Sequence, residues 1–496
     1  MPDTIDGLIR AHSDDDGDKP MVIDTDGRIT YAELDATTRD LAAAFIAAGV
    51  GKGSRVGLIM PNCVQWVQIA VALTRVGAVL VPLSTLLQAP ELVAQLRAAS
   101  VQFLVAVREF RGHRYLDDVE PQRSTLPALR EVWPADRLPD DADSSMVDKA
   151  AETVTPSDTL AIMFTSGSSG PPKGVIHSHG NALGAVRSGL TARCIGPDTR
   201  LYLPMPFFWV GGFGSGVLSA LLAGATLVTE QIPRPETTLR LLEREHVTLF
   251  RGWPDQAEAL ARQTASVPVD LSALRPGSLE ALLPAEQRAE SGARAKLFGM
   301  TESFGPYCGY PADTDMPRSA WGSCGKPFEG MEVRIVDSDS GAPLPRGEVG
   351  MIQIRGPHVM RGICRRGRED VFTTDGYYPT GDLGHLDDDG FMFYHGRSDD
   401  MFKVSGATVY PSEVEQSLRT IDGIDNAFVT EVSGAVGAVV ISDRSVDDLR
   451  ASARKVLSSF KVPTVWLVVD SDDDIPRKAT GKVDVRGLRD LLREHT

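Results

Sequence analysis

A stretch of small, hydroxyl-bearing residues that ends at a lysine is the clearest candidate for chemistry in this chain. Between a strand-like run (160–164) and Gly174 it places backbone N–H groups and hydroxyls where they can surround a polyphosphate, and the lysine adds a point charge. The residue after the lysine is glycine rather than serine or threonine, so this is not the ordinary nucleotide-binding loop. The candidate phosphate-binding residues are Thr165, Ser166, Gly167, Ser168, Ser169, Gly170 and Lys173.

Four further polar strings follow this loop in the chain. Each of them combines a charged residue with glycine or threonine, and one of them, Thr380-Gly381-Asp382, is alone a common turn. A carboxylate in such a turn offers only hydrogen-bond acceptors, and a lysine on a glycine-containing loop can move. The strings are Phe298-Gly299-Met300-Thr301-Glu302, Tyr378-Pro379-Thr380-Gly381-Asp382-Leu383-Gly384, Gly396-Arg397 with the residues up to Glu415, and Ala479-Thr480-Gly481-Lys482.

Taken together and in this order, the five strings resemble the adenylate-forming superfamily. That superfamily includes acyl-CoA synthetases, aryl-CoA ligases, luciferase and peptide-synthetase adenylation domains, and the resemblance covers nearly the whole chain. It implies an ATP-dependent carboxylate–CoA ligase that forms an acyl-adenylate and then an acyl-CoA thioester. The implied cofactors are ATP, Mg²⁺ and coenzyme A. Because the first half-reaction brings a carboxylate onto a polyphosphate, we expect catalysis mainly by charge neutralisation and positioning.

The resemblance also implies a role for each string in binding ATP. Residues 298–300 would lie against adenine, and Thr301 would contact the α-phosphate. Glu302 would hold Mg²⁺, which prefers oxygen ligands. Asp382 would accept hydrogen bonds from the ribose hydroxyls. Arg397 would add a planar donor fork near ribose and phosphate, although a salt bridge at a domain edge is the alternative.

The C-terminal strings are implied to act in turn as the small domain rotates. Lys482 would bridge the substrate carboxylate and the α-phosphate during adenylation. Asp399 matches the hinge position, where one residue absorbs the backbone change. The residues implied to contact the pantetheine arm are Lys403, Ser405 and Gly406, with a plain strand-edge lysine as the alternative for Lys403.

Two tryptophans mark a departure from the family at the expected acyl pocket. Trp209 stands where relatives usually carry histidine, and no aspartate is nearby to bind an α-ammonium group, which argues against an amino acid substrate. Trp253 replaces a smaller residue, so two flat walls favour a medium-sized apolar, aromatic or alicyclic acid. The alternative is that both rings are core residues. The predicted pocket residues are Phe208, Trp209, Val210, Gly211, Gly252 and Trp253.

Three function classes remain open from sequence alone. The leading one is the acid–thiol ligase that uses free CoA. The second is an enzyme that loads the phosphopantetheine of a carrier protein, and the third is a non-catalytic homologue that binds nucleotide or acyl ligands. The stretch 276–296 is shorter than the corresponding loop of family members, which lines the adenine pocket and the acyl tunnel. The contacts of this loop with adenine therefore stay open, and a long acyl tunnel is less expected.

Composition limits the partners of the chain. Its 496 residues carry a net charge of −16, which argues against nucleic-acid binding, since that needs a basic face. Five cysteines occur without a Cys-x-x-Cys pair, and no apolar run is long enough for a membrane span. We therefore expect a cytoplasmic enzyme without integral membrane association, and a homodimer stays open.

The alternation of strand-like and helix-like segments predicts an α/β fold. We expect a large N-terminal domain (1–398) of two parallel-type sheets with helices and a β-rich subdomain. A small, mobile α+β domain (399–496) should follow. Thr30 to Glu33 form a predicted capping box, and Asn62 is predicted to cap a helix that runs to about residue 75. Residues 111–157 are predicted to be an irregular connection.

Overall fold

The computed structural model describes residues 3–140, 143–165, 173–398, 402–404, 407–457, 461–477 and 483–495. The chain divides into two compact units. The first comprises Met1–Glu332 and Arg355–Tyr378, and the second comprises Val333–Ile354 and Pro379–Thr496. The predicted boundary between residues 398 and 399, which would delimit a mobile C-terminal domain, stays a prediction.

Helices cover the sheets of both units. Among the helices of the described chain, none combines the length and the apolar content that a bilayer span requires. A π-helical turn, Phe213–Leu218, joins α8 to α9. The helices are α1 (Ile5–Asp16), α2 (Tyr31–Ala47), α3 (Val64–Arg75), α4 (Ala89–Ala98), α5 (Tyr115–Val119), α6 (Ser145–Glu152), α7 (His179–Ser188), α8 (Val210–Gly212), α9 (Ser219–Ala223), α10 (Pro235–Arg244), α11 (Pro254–Gln263), α12 (Pro411–Arg419), α13 (Val446–Val456) and α14 (Val485–Glu494).

The strands are mostly short, and they alternate with these helices in the first part of the chain. They are β1 (Pro20–Ile23), β2 (Arg28–Thr30), β3 (Arg55–Ile59), β4 (Val79–Pro82), β5 (Phe103–Ala106), β6 (Glu131–Pro134), β7 (Thr159–Thr165), β8 (Lys173–Ser178), β9 (Arg200–Tyr202), β10 (Thr226–Val228), β11 (Leu249–Phe250), β12 (Phe298–Met300), β13 (Gly305–Gly309), β14 (Lys326–Pro327), β15 (Glu332–Val336), β16 (Gly350–Arg355), β17 (Gly362–Ile363), β18 (Tyr378–Leu386), β19 (Met392–Arg397), β20 (Phe402–Val404), β21 (Ala407–Val409), β22 (Ile424–Val432), β23 (Ala435–Ser442) and β24 (Val465–Val469).

Two large sheets build the first unit, as the sequence predicts. The seven-stranded sheet has the order β17-β8-β7-β4-β3-β5-β6 and the five-stranded sheet the order β11-β9-β10-β1-β2. The neighbours of β3, β5, β9 and β10 run parallel to them, whereas β7, β8 and β17 pair antiparallel at one edge. A third, antiparallel sheet has the order β12-β13-β14.

One apolar core joins the two large sheets through helix α3. Val56 of β3 and Leu227 of β10 belong to the same buried cluster as Trp66 and Leu73 of that helix. A helix that is apolar on nearly all sides must be covered on all sides, which its position between two sheets provides. This shared core therefore fixes the positions of the strand ends in both sheets.

The second unit contains an antiparallel region and an α+β region. A four-stranded sheet has the order β15-β16-β18-β19, and β20 and β21 form a hairpin. The three-stranded sheet β22-β23-β24 carries helices α12, α13 and α14. Its buried residues form a core of their own, which agrees with the α+β composition predicted from sequence.

Of the two helix caps predicted from sequence, one is confirmed and one is wrong. The capping box is confirmed, since Thr30 accepts from the backbone of Glu33 and Glu33 accepts from the backbone of Thr30. The prediction that Asn62 caps α3 is wrong, because Asp24 accepts from the first helical N–H instead. Asn62 bonds to the backbone of Met205 and Phe207, a long-range pairing that local sequence does not reveal.

The stretch 111–157 is more regular than predicted. It contains α5, α6 and strand β6, which extends the seven-stranded sheet at its edge. Its strand is only four residues long and partly exposed, so it lacks the continuous apolar run by which a buried strand is recognised.

Candidate active site

The predicted phosphate loop connects the two strands of an antiparallel hairpin, β7 and β8. Thr165 is the last residue of β7 and Lys173 the first of β8, and the two are register partners. Ile162 and Met163 are buried below them, so the base of the loop rests on the core. The intervening predicted residues, 166–170, lie outside the described residues and stay predictions.

A second turn holds the residues predicted to contact adenine, phosphate and Mg²⁺. Strand β12 carries 298–300, and a short 3₁₀ turn, Thr301–Ser303, connects it to β13. Strand pairing is so close that a Cβ on Gly299 would lie 2.1 Å from the carbonyl oxygen of Gly305. Phe304 closes the turn in the left-handed region with φ 51°, a conformation that bulky residues rarely adopt.

Glu302 is a buried carboxylate that is only 6% exposed. Its Oε1 accepts a hydrogen bond from the hydroxyl of Tyr378 at 3.0 Å, and its backbone oxygen accepts from the N–H of Met360 at 2.8 Å. The described residues contain no group of three or more His, Cys, Asp or Glu that could hold a metal by themselves. A single oriented carboxylate suits Mg²⁺, which proteins typically hold with one or two carboxylates and substrate phosphates.

A buried histidine that sequence reasoning missed fixes the backbone of Thr301. The Nε2 of His177 lies 2.8 Å from the carbonyl oxygen of Thr301, and its Nδ1 lies 2.9 Å from Nδ2 of Asn181. Since the Oδ1 of Asn181 accepts from the N–H of Ser178, its Nδ2 is the donor, and His177 carries its proton on Nε2. Burial lowers the pKa of His177 to about 3, so this ring is neutral.

In the second unit, the predicted ribose ligand Asp382 pairs with the predicted Arg397. They are register partners on β18 and β19, with Nη1 of Arg397 3.3 Å from Oδ1 of Asp382. The same Nη1 donates to the carbonyl oxygen of Thr380 at 3.0 Å, and a Cβ on Gly381 would lie 2.8 Å from Nη2. The structure thus brings together two residues that the sequence analysis named separately, and Gly381 makes room for the guanidinium.

The predicted acyl-pocket residues also meet. The indole rings of Trp209 and Trp253 approach edge to face with centroids 6.0 Å apart, and Phe208 packs on Trp209 at 5.5 Å. Phe208 and Val210 are buried, whereas Trp253 is 36% exposed and is therefore not a core residue. The other two predicted positions, Gly211 and Gly252, are partly exposed beside them.

The structure describes only some of the residues predicted to act in the mobile domain. Asp399, Ser405, Gly406 and Lys482 lie outside the described residues, and of Lys403 the backbone is described, in strand β20. On either side of 478–482, Arg477 and Val483 are partners in an isolated β-bridge.

A sequence model of the AMP-binding enzyme family matches residues 9–364. The chain belongs to this family. It is similar to a 3-(7a-methyl-1,5-dioxo-octahydro-1H-inden-4-yl)propanoyl:CoA ligase of Mycobacterium tuberculosis, with 32% identity over 99% of this chain and 98% of the relative. A feruloyl-CoA synthase of Amycolatopsis is 31% identical over 92% of each chain. The crystal structure of ATP-bound MatB from Rhodopseudomonas palustris superposes with a TM-score of 0.82 at 25% identity, covering 99% of both chains.

Membership of the AMP-binding family confirms the resemblance drawn from the motifs, the two-domain α/β fold class and the enzyme class. The chain is an AMP-forming acid–thiol ligase, for which ATP, Mg²⁺ and coenzyme A are the expected cofactors. Sequence reasoning missed two positioning contacts. One joins Nε2 of His177 to the carbonyl oxygen of Thr301, and the other joins the hydroxyl of Tyr378 to Glu302. Both join residues more than 70 positions apart, so no local pattern signals them.

Proposed function

We propose that this enzyme activates a ring-bearing carboxylic acid as its adenylate and transfers the acyl group to the thiol of coenzyme A. The observation that carries the proposal is the turn at Thr301 and Glu302, where a buried, oriented carboxylate adjoins a backbone held by His177. The relatives named above act on a bicyclic propanoate and on ferulate, both of them acids with a ring. The paired indoles of Trp209 and Trp253 suit flat or alicyclic groups of this kind.

In the proposed first half-reaction, the chain's own residues position two negative reactants. Thr165 and Lys173, at the base of the phosphate loop, would hold the β- and γ-phosphates. Glu302 would hold Mg²⁺, which would supply positive charge to neutralise the phosphates. Asp382, kept in place by Arg397, would orient the ribose. Lys482 would then neutralise the carboxylate and the α-phosphate as they approach.

The test combines two assays on a panel of aromatic, alicyclic and linear acids. Carboxylate-dependent exchange of pyrophosphate into ATP reports adenylate formation, and mass spectrometry of CoA thioesters reports transfer. We expect both signals with ring-bearing acids and weak signals with long linear acids. Exchange with linear acids alone would contradict the proposed substrate class.

Free coenzyme A is the acceptor we propose, and a carrier protein remains the alternative. Both acceptors present the same pantetheine arm to 403–406, so the discriminating experiment is turnover with free CoA. A kcat with free CoA that matches the rate of pyrophosphate exchange supports CoA. Rapid exchange with negligible CoA turnover, restored by a phosphopantetheinylated carrier protein, supports the carrier.

Compartment and assembly also stay predictions. All five cysteines of the chain are free thiols, as expected in a reducing compartment, and we propose the cytoplasm. Fractionation of cells that express the tagged protein checks the compartment. A homodimer is likewise untested, and size-exclusion chromatography with light scattering would distinguish it from a monomer.

A further inference from the structure

Two neighbouring arginine side chains of the first unit, Arg193 and Arg251, have no carboxylate partner among the described residues. Arg193 is only 3% exposed. Another buried arginine, Arg75, instead forms ion pairs with Asp6 at 2.6 Å and with Asp35 at 2.8 Å. Arg251, its neighbour, is half-buried. Because a buried cation without a counter-charge is strongly unfavourable, packing alone gives no reason for Arg193 to lie beside a second arginine.

Within the part of the chain that the structure describes, the two guanidinium groups bond to backbone carbonyls. Nη2 of Arg193 donates to Val186 at 2.6 Å, and Nη1 of Arg251 donates to Gly277 at 2.7 Å. The buried Nε of Arg193 has no partner. Burial, with the neighbouring Arg251, lowers the pKa of Arg193 to about 9, so Arg193 is still charged at neutral pH. Burial also lowers the pKa of Arg251. The nearby Cys194 supplies no negative charge, since burial raises the pKa of its thiol.

Arg251 lies next to the predicted wall of the acyl pocket. Phe250 packs into the apolar cluster under α10 and α11, so the next side chain along the extended strand end points to the opposite face of the sheet. Trp253 follows two residues later and contacts Trp209. The carbonyl that Arg251 holds is that of Gly277, at the start of the shortened stretch 276–296.

Arg193 has an aromatic neighbour, Phe328. A Cβ placed on Gly189 would lie 2.8 Å from Nη1 of Arg193 and 3.1 Å from the ring of Phe328, so these two side chains are neighbours. Phe328 packs over the last residue of β13 (Gly305–Gly309), whose first residue adjoins the turn at Thr301. Four residues of a strand span about 14 Å at about 3.4 Å each. Phe328, the neighbour of Arg193, therefore lies about one strand length from the turn at Thr301.

We propose that Arg193 and Arg251 bind an acceptor oxygen at the far end of the acyl group, either a second carboxylate or a keto oxygen. This inference rests on the proposed function, because it places the reacting carboxylate at Thr301. Guanidinium groups donate in a planar fork that matches such oxygens, and a carboxylate would also supply the missing negative charge. A buried site with unpaired donors discriminates strongly against a ligand that lacks the acceptor. The pair would thus select oxygenated ring acids over plain ones.

The experiment uses three acids of one shape: 3-cyclohexylpropanoic acid, its 4-oxo derivative and its 4-carboxy derivative. For each acid, kcat/KM of thioester formation is measured with the full-length enzyme and with Arg193→Met and Arg251→Met. Arg262→Gln, on the exposed side of α11, is the matched control. We expect the wild type to prefer an oxygenated acid by roughly ten- to a hundredfold, from one or two hydrogen bonds to a charged donor. Both Met variants should lose that preference, while the control keeps it.

The outcomes separate the inference from its alternatives. A preference for the 4-carboxy acid identifies a second carboxylate as the ligand, and a preference for the 4-oxo acid identifies a keto oxygen. Equal losses on all three acids would mean that the arginines only support the fold, and Arg251→Lys, which keeps the charge, guards against a variant that fails to fold. Equal wild-type rates on all three acids would overturn the inference. Absence of thioester with every acid would instead count against the proposed function.

Discussion

At the scale of single residues, buried histidines make stability depend on pH. His179 is fully buried with neither ring nitrogen hydrogen-bonded, and burial lowers its pKa to about 4 from the usual 6.5. The unfolded chain therefore takes up a proton below pH 6.5 that the folded chain refuses, and stability falls as the pH falls from 6.5 toward 4. The slope is about 1.4 kcal/mol per pH unit for one such group.

We predict that His179→Phe reduces this acid-side loss of stability by about that slope. Thermal unfolding between pH 7.5 and 5.5 measures the effect, because the variant's unfolding temperature should fall less steeply with pH than the wild type's. His246→Asn, at an exposed position with positive φ that asparagine tolerates, is the control. Identical pH profiles for His179→Phe and wild type would show that this histidine is not held neutral.

The hydroxyl of Tyr378 gives a second prediction at this scale. Tyr378→Phe removes the hydrogen bond to Glu302 and leaves the ring, so the proposed Mg²⁺ ligand loses an orienting contact. A hydrogen bond to a charged group contributes about 1.5–3 kcal/mol, so we expect the KM for MgATP to rise by about tenfold. Tyr377→Phe is the matched control, since that hydroxyl bonds to Glu332 instead. An equal rise of the KM for MgATP in both variants would show that Tyr378 has no specific role in orienting Glu302.

At the scale of elements, the turn between β12 and β13 depends on a glycine. A Cβ at position 299 would overlap the carbonyl oxygen of Gly305 at 2.1 Å, and backbone atoms cannot yield as a flexible side chain can. We predict that Gly299→Ala separates the two strands, displaces Thr301 and abolishes pyrophosphate exchange. Gly362→Ala is the control, because a Cβ there meets nothing within 4 Å. Normal exchange in Gly299→Ala would show that the turn tolerates a shift.

The helix caps show what local sequence can and cannot predict. The capping box of Thr30 and Glu33 was predictable, because it depends on neighbours within a few residues. The true cap of α3 comes from Asp24, 40 positions away, so no local pattern contains it. The candidate site divides in the same way, since its motifs name Thr301 and Glu302 but do not show which residues hold them.

At the scale of the whole molecule, the two half-reactions should separate. If the segment with Lys482 moves in for adenylation and out for thioester formation, Lys482→Ala should slow pyrophosphate exchange sharply. Thioester formation from supplied acyl-adenylate should be nearly unchanged, because the cation is then no longer needed. Lys455→Ala, on the exposed face of α13, serves as control. Equal losses in both half-reactions would refute the proposed role of this lysine.

The contact between Trp209 and Trp253 has a practical consequence. Indole emission responds to the polarity around the ring, and Trp253 still meets solvent over about a third of its surface. Of the six tryptophans in the chain, Trp66 is fully buried in the core and should give a constant background. An acid that covers the two indoles should therefore shift the intrinsic fluorescence, so the pocket wall would serve as its own label for following acid entry in real time.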